Sequence, residues 1–235
     1  MKDFISLSID RIELFDEPYF YGLCDNFLPN NLIEELLLIS NDNPRREVGL
    51  HRNWPVPKIG KSSNYKKNVS ILNQYITCWE DPIIMESAFN KFGVKLTDFQ
   101  SKYEVKDFDD LRVVHSLRKF APGFNYKPHN DTPSKGISIV VFVYPMNQKG
   151  LKHHLGTILY KFENKPIGID KNGKEIKYSY FGSVEWEVNR AFIISAISQK
   201  SKEKKTLHSY HVPEYITQGR VTLMINIIPK NAVNP

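Results

Sequence analysis

His129 and Asp131 flank a single residue at the end of Phe120-Ala121-Pro122-Gly123-Phe124-Asn125-Tyr126-Lys127-Pro128-His129-Asn130-Asp131. On an extended backbone side chains alternate, so this imidazole and carboxylate point to one side. A third ligand from a later strand would complete a two-histidine, one-carboxylate face. Such a face leaves coordination positions of a ferrous ion open for substrate and oxygen. A lone His-x-Asp also occurs in turns where the aspartate only bonds backbone amides, so the pair gains meaning from what surrounds it. Thr206-Leu207-His208 and Arg220-Val221-Thr222, much further along, are read together with it.

The surroundings are short β-rich runs. Leu111 to Phe120, Ile137 to Tyr144, Gly156 to Phe162, Lys177 to Phe181, Ala191 to Ile197, Leu207 to Val212 and Arg220 to Ile227 are rich in Val, Ile, Phe, Tyr and Thr and are separated by turn formers. They predict a sandwich or barrel. Asp170-Lys171-Asn172-Gly173-Lys174 is a turn between two strands, because Asn-Gly tolerates positive φ.

Before this region the signals are helical. Leu32 to Ile39 reads as a helix capped by Asn31 with Glu34 reciprocating, and Asp81 to Phe92 as a second, with Asp81 as cap, Pro82 in the first turn and Gly93 as stop. Ile84, Ala88, Phe89 and Phe92 share one face of the second helix and are core candidates. Ile5 to Phe20 is expected to contribute an edge strand, and Asn43 to Lys67, with Trp54-Pro55-Val56-Pro57, an irregular loop.

The 235 residues suit one domain with a sizeable core, and 41% hydrophobic with 25% charged residues favours neither disorder nor a fibrous repeat. No apolar run approaches eighteen residues, and Met1-Lys2-Asp3-Phe4 lacks a secretory pattern. A cytoplasmic protein with no membrane partner is expected. Cys24 and Cys78 are not spaced as a redox or zinc motif and read as reduced thiols. A net charge of +6 is too small to point to nucleic acid, and part of it lies in Lys200 to Lys205, a solvated loop by composition.

The order of these elements resembles the 2-oxoglutarate and Fe(II)-dependent oxygenases, in particular their prolyl-4-hydroxylase-like branch. The resemblance runs through Asp25-Asn26-Phe27-Leu28-Pro29, Pro122-Gly123, His129-Asn130-Asp131, Gly156-Thr157-Ile158-Leu159-Tyr160, Asn189-Arg190-Ala191-Phe192-Ile193-Ile194, Thr206-Leu207-His208-Ser209 and Arg220-Val221-Thr222-Leu223. It implies a double-stranded β-helix (jelly roll, cupin-like), mainly β, from about residue 110 to 230, with a helical flank over residues 1 to 109, all in one oxygenase domain. It implies His129, Asp131 and His208 as iron ligands and catalytic residues. It implies Arg220 and Thr222 as partners of the distal carboxylate of 2-oxoglutarate, in keeping with the permanent charge and bidentate fork of a guanidinium. The implied cofactors are Fe(II), 2-oxoglutarate as co-substrate and O2. The implied reaction couples decarboxylation of 2-oxoglutarate to hydroxylation of a peptidyl or small-molecule substrate.

His211 competes with His208 for the third position. His208 is preferred, because its strand looks like the family's histidine strand and Pro213 would interrupt a ladder starting at His211. His153 and His154 are adjacent, face opposite ways on a strand and read as a polar loop. His115 reads as a core or cavity residue. Tyr126, Tyr144, Tyr160 and Trp186 are candidate cavity walls, and Arg118 faces either the cavity or the sheet surface. A non-catalytic jelly-roll binding module and a cupin-like metalloenzyme without 2-oxoglutarate are the alternatives; the complete ligand set argues against the first and Arg220 against the second.

Overall fold

The computed structural model describes residues 1–41, 51–55, 69–144, 155–170, 172–201, 206–215 and 219–232. Its strands, in chain order, are β1 (Glu13–Phe15), β2 (Tyr21–Cys24), β3 (His51–Pro55), β4 (Leu111–Phe120), β5 (Asn125–His129), β6 (Ile137–Tyr144), β7 (Thr157–Phe162), β8 (Gly168–Ile169), β9 (Glu175–Ile176), β10 (Tyr178–Val184), β11 (Ala191–Ile194), β12 (His208–His211) and β13 (Arg220–Pro229). A seven-stranded sheet runs in the order β1-β2-β11-β6-β13-β4-β3 and a four-stranded sheet in the order β10-β7-β12-β5. The pairings within both are antiparallel. From β4 onward the chain passes back and forth between the two sheets, which makes a double-stranded β-helix.

β13 shows why this sequence builds two layers. Val221, Leu223, Ile225 and Ile227 are buried against the helices, whereas Arg220, Thr222 and Met224 alternate with them and face the space between the sheets. A strand covered on both faces reads as a nearly continuous apolar run. Two cores result. The larger lies between the helices and the seven-stranded sheet, and the smaller, with Phe120, Phe142, Leu159, Trp186 and Phe192, lies between the sheets.

Helices α1 (Lys2–Asp10), α2 (Asn30–Asn41), α3 (Val69–Trp79) and α4 (Pro82–Phe92) buttress the outer face. α4 matches its sequence signals: Asp81 accepts from the Ile83 amide at 2.9 Å, and Gly93 ends the helix at φ 62°. The segment Ile5 to Phe20 contributes the expected edge strand as β1, the outermost strand of its sheet, but its first half is the unexpected helix α1. Ile5, Ser8 and Ile9 are buried at helical spacing, and the Ser8 hydroxyl donates to the Phe4 carbonyl at 2.9 Å. Asn31 is not the cap of α2. The helix starts one residue earlier, and the Pro29 carbonyl accepts from Leu32 and Ile33 at 3.0 and 3.1 Å.

The expected irregular loop from Asn43 to Lys67 contains β3, which pairs along β4 from His51 opposite Phe120 to Pro55 opposite Ser116. It is the outer strand of its sheet, where a proline costs no ladder bond. The remainder of that loop lies outside the described residues, as do His153, His154 and Lys202 to Lys205. α3 was not expected, although Leu72, Tyr75, Ile76 and Trp79 are buried at three- and four-residue spacing. Asp170 organises its turn by accepting from Asn172 and Lys174 at 2.8 and 2.9 Å. Cys24 and Cys78 are free thiols. Among the described residues no helix is long and apolar enough to cross a membrane.

The flank is tied to the β-helix by Asn189. Its side chain accepts from the Leu28 amide at 2.7 Å and donates to the Leu28 carbonyl at 2.8 Å. Arg190 beside it grips Asp25 with both Nε and Nη2, at 2.6 and 2.9 Å. Two of the motif segments separated by about 160 residues are thus one structural joint.

Candidate metal centre and its cavity

β5 and β12 bring the first histidines together. His208 opens β12 directly across the ladder from His129, the last residue of β5, and the ring centroids are 4.4 Å apart. Asp131 sits two residues past the end of β5, in the bend that follows, and not within the strand. Potential ligand atoms of His129, Asp131 and His208 all lie within 4.8 Å of one another. His211 is opposite Asn125 at the far end of β12 and is not part of this group.

Each imidazole is oriented by a backbone carbonyl. His129 Nδ1 is 3.1 Å from the Lys127 carbonyl and His208 Nδ1 is 2.9 Å from that of Thr206. A carbonyl only accepts, so in a neutral ring Nδ1 carries the proton and Nε2 presents a lone pair. Protonation favours the same outcome. Burial, aided by His208, pulls His129 down to about 4, and burial also lowers His208. For Asp131 burial acts upward, but Lys135, His208 and the hydrogen bonds from Lys135 and Ser138 outweigh it and hold the carboxyl at about 2. Two neutral imidazoles and one carboxylate are the states a divalent ion requires.

Lys135 is buried beside the cluster, with Nζ 2.8 Å from Asp131 Oδ1. The turn from Thr132 to Lys135 places it there, with the Lys135 amide donating to the Thr132 carbonyl at 2.9 Å. This cation balances an otherwise costly buried carboxylate.

The opposite end of the cavity is built by β13. Gly219, at φ 76°, lies so close to the Phe120 carbonyl that a Cβ would come within 2.4 Å of the oxygen, so the turn into β13 requires glycine. Arg220 follows and is 1% exposed. Its Nε donates to the Leu155 carbonyl at 3.0 Å, while Nη2 has no partner among the described residues, and neither does Thr222 Oγ1. Its guanidinium lies 4.2 Å from the centroid of the Tyr210 ring and 5.2 Å from that of Trp186. Burial brings it down to about 10, so it remains a cation at neutral pH. A buried cation with an unused donor beside a buried, unbonded hydroxyl is costly unless an anion completes it. These two orphaned groups fit the distal carboxylate of a keto diacid, as the lone pairs at the other end fit a metal.

A cavity of about 320 Å³ joins the two ends, with Arg118, Tyr126, Lys135, Thr157, Phe192 and Tyr210 among its walls. Of the aromatic candidates, Tyr126 lines it and stacks on Tyr210 with centroids 5.1 Å apart. Trp186 is set behind Arg220, stacked on Phe142 at 4.6 Å. Tyr144 and Tyr160 are not in the lining; the Tyr160 hydroxyl lies 2.9 Å from Ser209 Oγ. His115 shares the apolar face of β4, where burial pulls it down to about 4, and is outside the cavity.

No family model and no curated protein matches the sequence. Solved structures do match. A prolyl-4-hydroxylase from Pseudomonas putida aligns over 97% of this chain and 100% of its own, at 12% identity and a TM-score of 0.51. A prolyl 4-hydroxylase from Phytophthora capsici aligns over 100% of this chain and 68% of its own, at 12% identity and a TM-score of 0.51. The epimerase SnoN in complex with Fe3+, alpha ketoglutarate and nogalamycin RO aligns over 100% of this chain and 86% of its own, at 10% identity and a TM-score of 0.52. The fold is that of the 2-oxoglutarate oxygenases.

Within this oxygenase fold, several cavity residues carry no signal of their own in the sequence. Lys135 stands four residues after Asp131, and Tyr210 two after His208 on the same strand face. That spacing would have marked Tyr210 as a neighbour of the histidine. The position of Lys135 depends on the intervening turn.

Proposed function

We propose that this chain is an Fe(II)- and 2-oxoglutarate-dependent dioxygenase that hydroxylates a peptidyl or small-molecule substrate, acting as one oxygenase domain with the site in residues 110 to 230. One observation carries the reading: a convergent His129, Asp131 and His208 set and an uncompensated Arg220 and Thr222 pair face the same cavity. A structure of similar fold, SnoN, holds Fe3+ and alpha ketoglutarate together.

His129, Asp131 and His208 would hold the metal through Nε2, a carboxylate oxygen and Nε2. When bound, iron and 2-oxoglutarate supply the coupling of O2 reduction and oxidative decarboxylation to substrate oxidation, so that R–H, 2-oxoglutarate and O2 become R–OH, succinate and CO2. Arg220 and Thr222 fix the distal carboxylate and thereby aim the keto-acid end at the metal. The carbonyls of Lys127 and Thr206 hold the imidazole tautomers. The rings of Phe120, Phe192 and Tyr210 keep water from the buried side.

The test is an anaerobic titration of metal-free protein with Fe(II) and then 2-oxoglutarate. The expected result is the weak visible charge-transfer band of a chelated keto acid, present in the unmodified protein and absent from Asp131→Ala. Metal binding without the band would overturn the role of Arg220 and favour a metalloenzyme that does not use 2-oxoglutarate. Absence of metal binding would overturn the enzyme assignment.

A further inference from the structure

Arg118 is a second guanidinium in the cavity, outside the Arg220 and Thr222 pair assigned above to 2-oxoglutarate. It lies on β4 directly opposite Thr222, whereas Arg220 is opposite Phe120. Residues opposite each other in an antiparallel pair present side chains to the same face, and a two-residue step along a strand is about 7 Å. Arg118 is therefore displaced from Arg220 along β13 in the direction of Met224, which also lines the cavity. It lies within electrostatic reach of Asp131 and of the Tyr126 and Tyr210 phenols. Among the described residues its one hydrogen bond runs from Nε to Ser116 Oγ at 3.3 Å. Nη1 and Nη2 have no hydrogen-bond partner among the described residues, and burial lowers the pKa of the group, so the fold bears a cost for keeping a charge there.

The charges of the cavity give this cation a purpose. Its charged walls among the described residues are Arg118, Lys135, Arg220 and Asp131. Three cations against one carboxylate leave a surplus of two positive charges. A divalent metal raises the surplus to four, and 2-oxoglutarate, with two carboxylates, returns it to two. Lys135 is committed to Asp131 at 2.8 Å and Arg220 to the co-substrate on the reading above. Among the described residues of the cavity wall, Arg118 is the remaining cation with no anion hydrogen-bonded to it.

We infer that Arg118 receives a carboxylate of the primary substrate and so determines specificity for an acidic substrate in the reaction proposed above. The two terminal nitrogens of a guanidinium match the two oxygens of a carboxylate. Held there, the carboxylate lies beside Thr222, one two-residue step along β13 from Arg220.

The inference rests on the 2-oxoglutarate reading, and one experiment separates the two. Protein loaded with Mn(II) and saturating 2-oxoglutarate is titrated with N-acetylglycine and with its neutral analogue N-acetylglycinamide, and Mn(II)-induced broadening of the acetyl methyl proton resonance is followed. The carboxylate is expected to broaden saturably and the amide not. Arg118→Met should weaken N-acetylglycine tenfold or more while 2-oxoglutarate affinity stays within twofold. Arg118→Lys, which keeps the stem and charge but loses the fork, should weaken it at least threefold and serves where Arg118→Met fails to fold. Equal broadening by the amide, an unchanged affinity in both variants, or displacement by a stoichiometric amount of inorganic phosphate would overturn the inference and leave the enzyme class standing. A loss of 2-oxoglutarate affinity in Arg118→Met as steep as in Arg220→Met would overturn it by making Arg118 part of the co-substrate clamp. If Mn(II) and 2-oxoglutarate do not bind the unmodified protein, the underlying reading fails and the inference falls with it.

Discussion

The Arg220 guanidinium lies 4.2 Å from the centroid of the Tyr210 ring, and Tyr210 is two residues past His208 on β12. One strand therefore carries a candidate metal ligand and the aromatic support of the candidate co-substrate clamp. A desolvated cation–π contact is worth about 2 kcal/mol, so the ring sets where the guanidinium rests. Tyr210→Ala is expected to weaken 2-oxoglutarate binding by roughly tenfold through misplacement of Arg220. Tyr210→Phe, which keeps the ring face, is expected to change it less than about threefold. Isothermal titration with 2-oxoglutarate on Mn(II)-loaded protein measures both.

The buried Asp131–Lys135 pair separates metal binding from stability. Removing one partner of such a pair leaves an uncompensated buried charge and costs about 3–5 kcal/mol. Asp131→Ala and Lys135→Met are each expected to destabilise metal-free protein by about that amount, while the double variant recovers at least half of the loss. Metal binding should be lost in Asp131→Ala and in the double variant alike. Urea denaturation of the four proteins, with Mn(II) binding measured in parallel, tests the coupling; additive losses would sink it.

Acid should destabilise the metal-free protein in a defined window. His129 titrates at about 4 in the fold against 6.5 for a free imidazole, and His115 likewise at about 4. Between these values the unfolded chain binds protons that the folded chain does not, so stability rises with pH across the window. It is fully present above about pH 6.5 and declines as pH falls toward about 4. Asp131, held at about 2 against 3.8, adds a further loss below that window. Thermal midpoints from pH 7.5 to 4 are expected to fall, and His115→Leu should flatten the slope without altering metal affinity. A midpoint independent of pH over this range would contradict the buried, neutral state of both histidines.

Much of the architecture was legible because β6, β11 and β13 are buried along nearly their whole length and β4 carries a buried face. Leu111 to Phe120 and Ile137 to Tyr144 coincide with β4 and β6, whose β-branched runs have turn formers at their ends. The pairing of His129 with Asp131 was legible from their spacing, whereas His208 entered through the family resemblance, with His211 as its competitor. β3 was not, since His-Arg-Asn-Trp-Pro shows no alternation and pairs at the sheet edge through its backbone. α1 was hidden by acidic and hydroxyl residues that interrupt its apolar positions. Lys135 escaped notice because a turn, not a strand or helix period, returns its ammonium to Asp131. Orphaned atoms such as Arg220 Nη2 are facts about three-dimensional neighbours, and no one-dimensional pattern encodes them.

Gly156 offers a structural prediction that reaches the site. A Cβ at this position would lie 1.7 Å from the Val184 carbonyl oxygen, a backbone atom that cannot swing aside. The close approach seats β7 against the end of β10, and Leu155, the preceding residue, supplies the carbonyl that accepts from Arg220 Nε at 3.0 Å. Gly156→Ala must push these strands apart, and overpacking of a well-packed interior costs about 1–3 kcal/mol. The displaced Leu155 carbonyl should then release Arg220 from its orientation. The expected outcome is a lowered denaturation midpoint together with a 2-oxoglutarate affinity reduced by at least fivefold, whereas metal affinity, set by β5 and β12, changes little. A stability loss with unaltered 2-oxoglutarate affinity would show that Arg220 is oriented by its aromatic surroundings and not by Leu155.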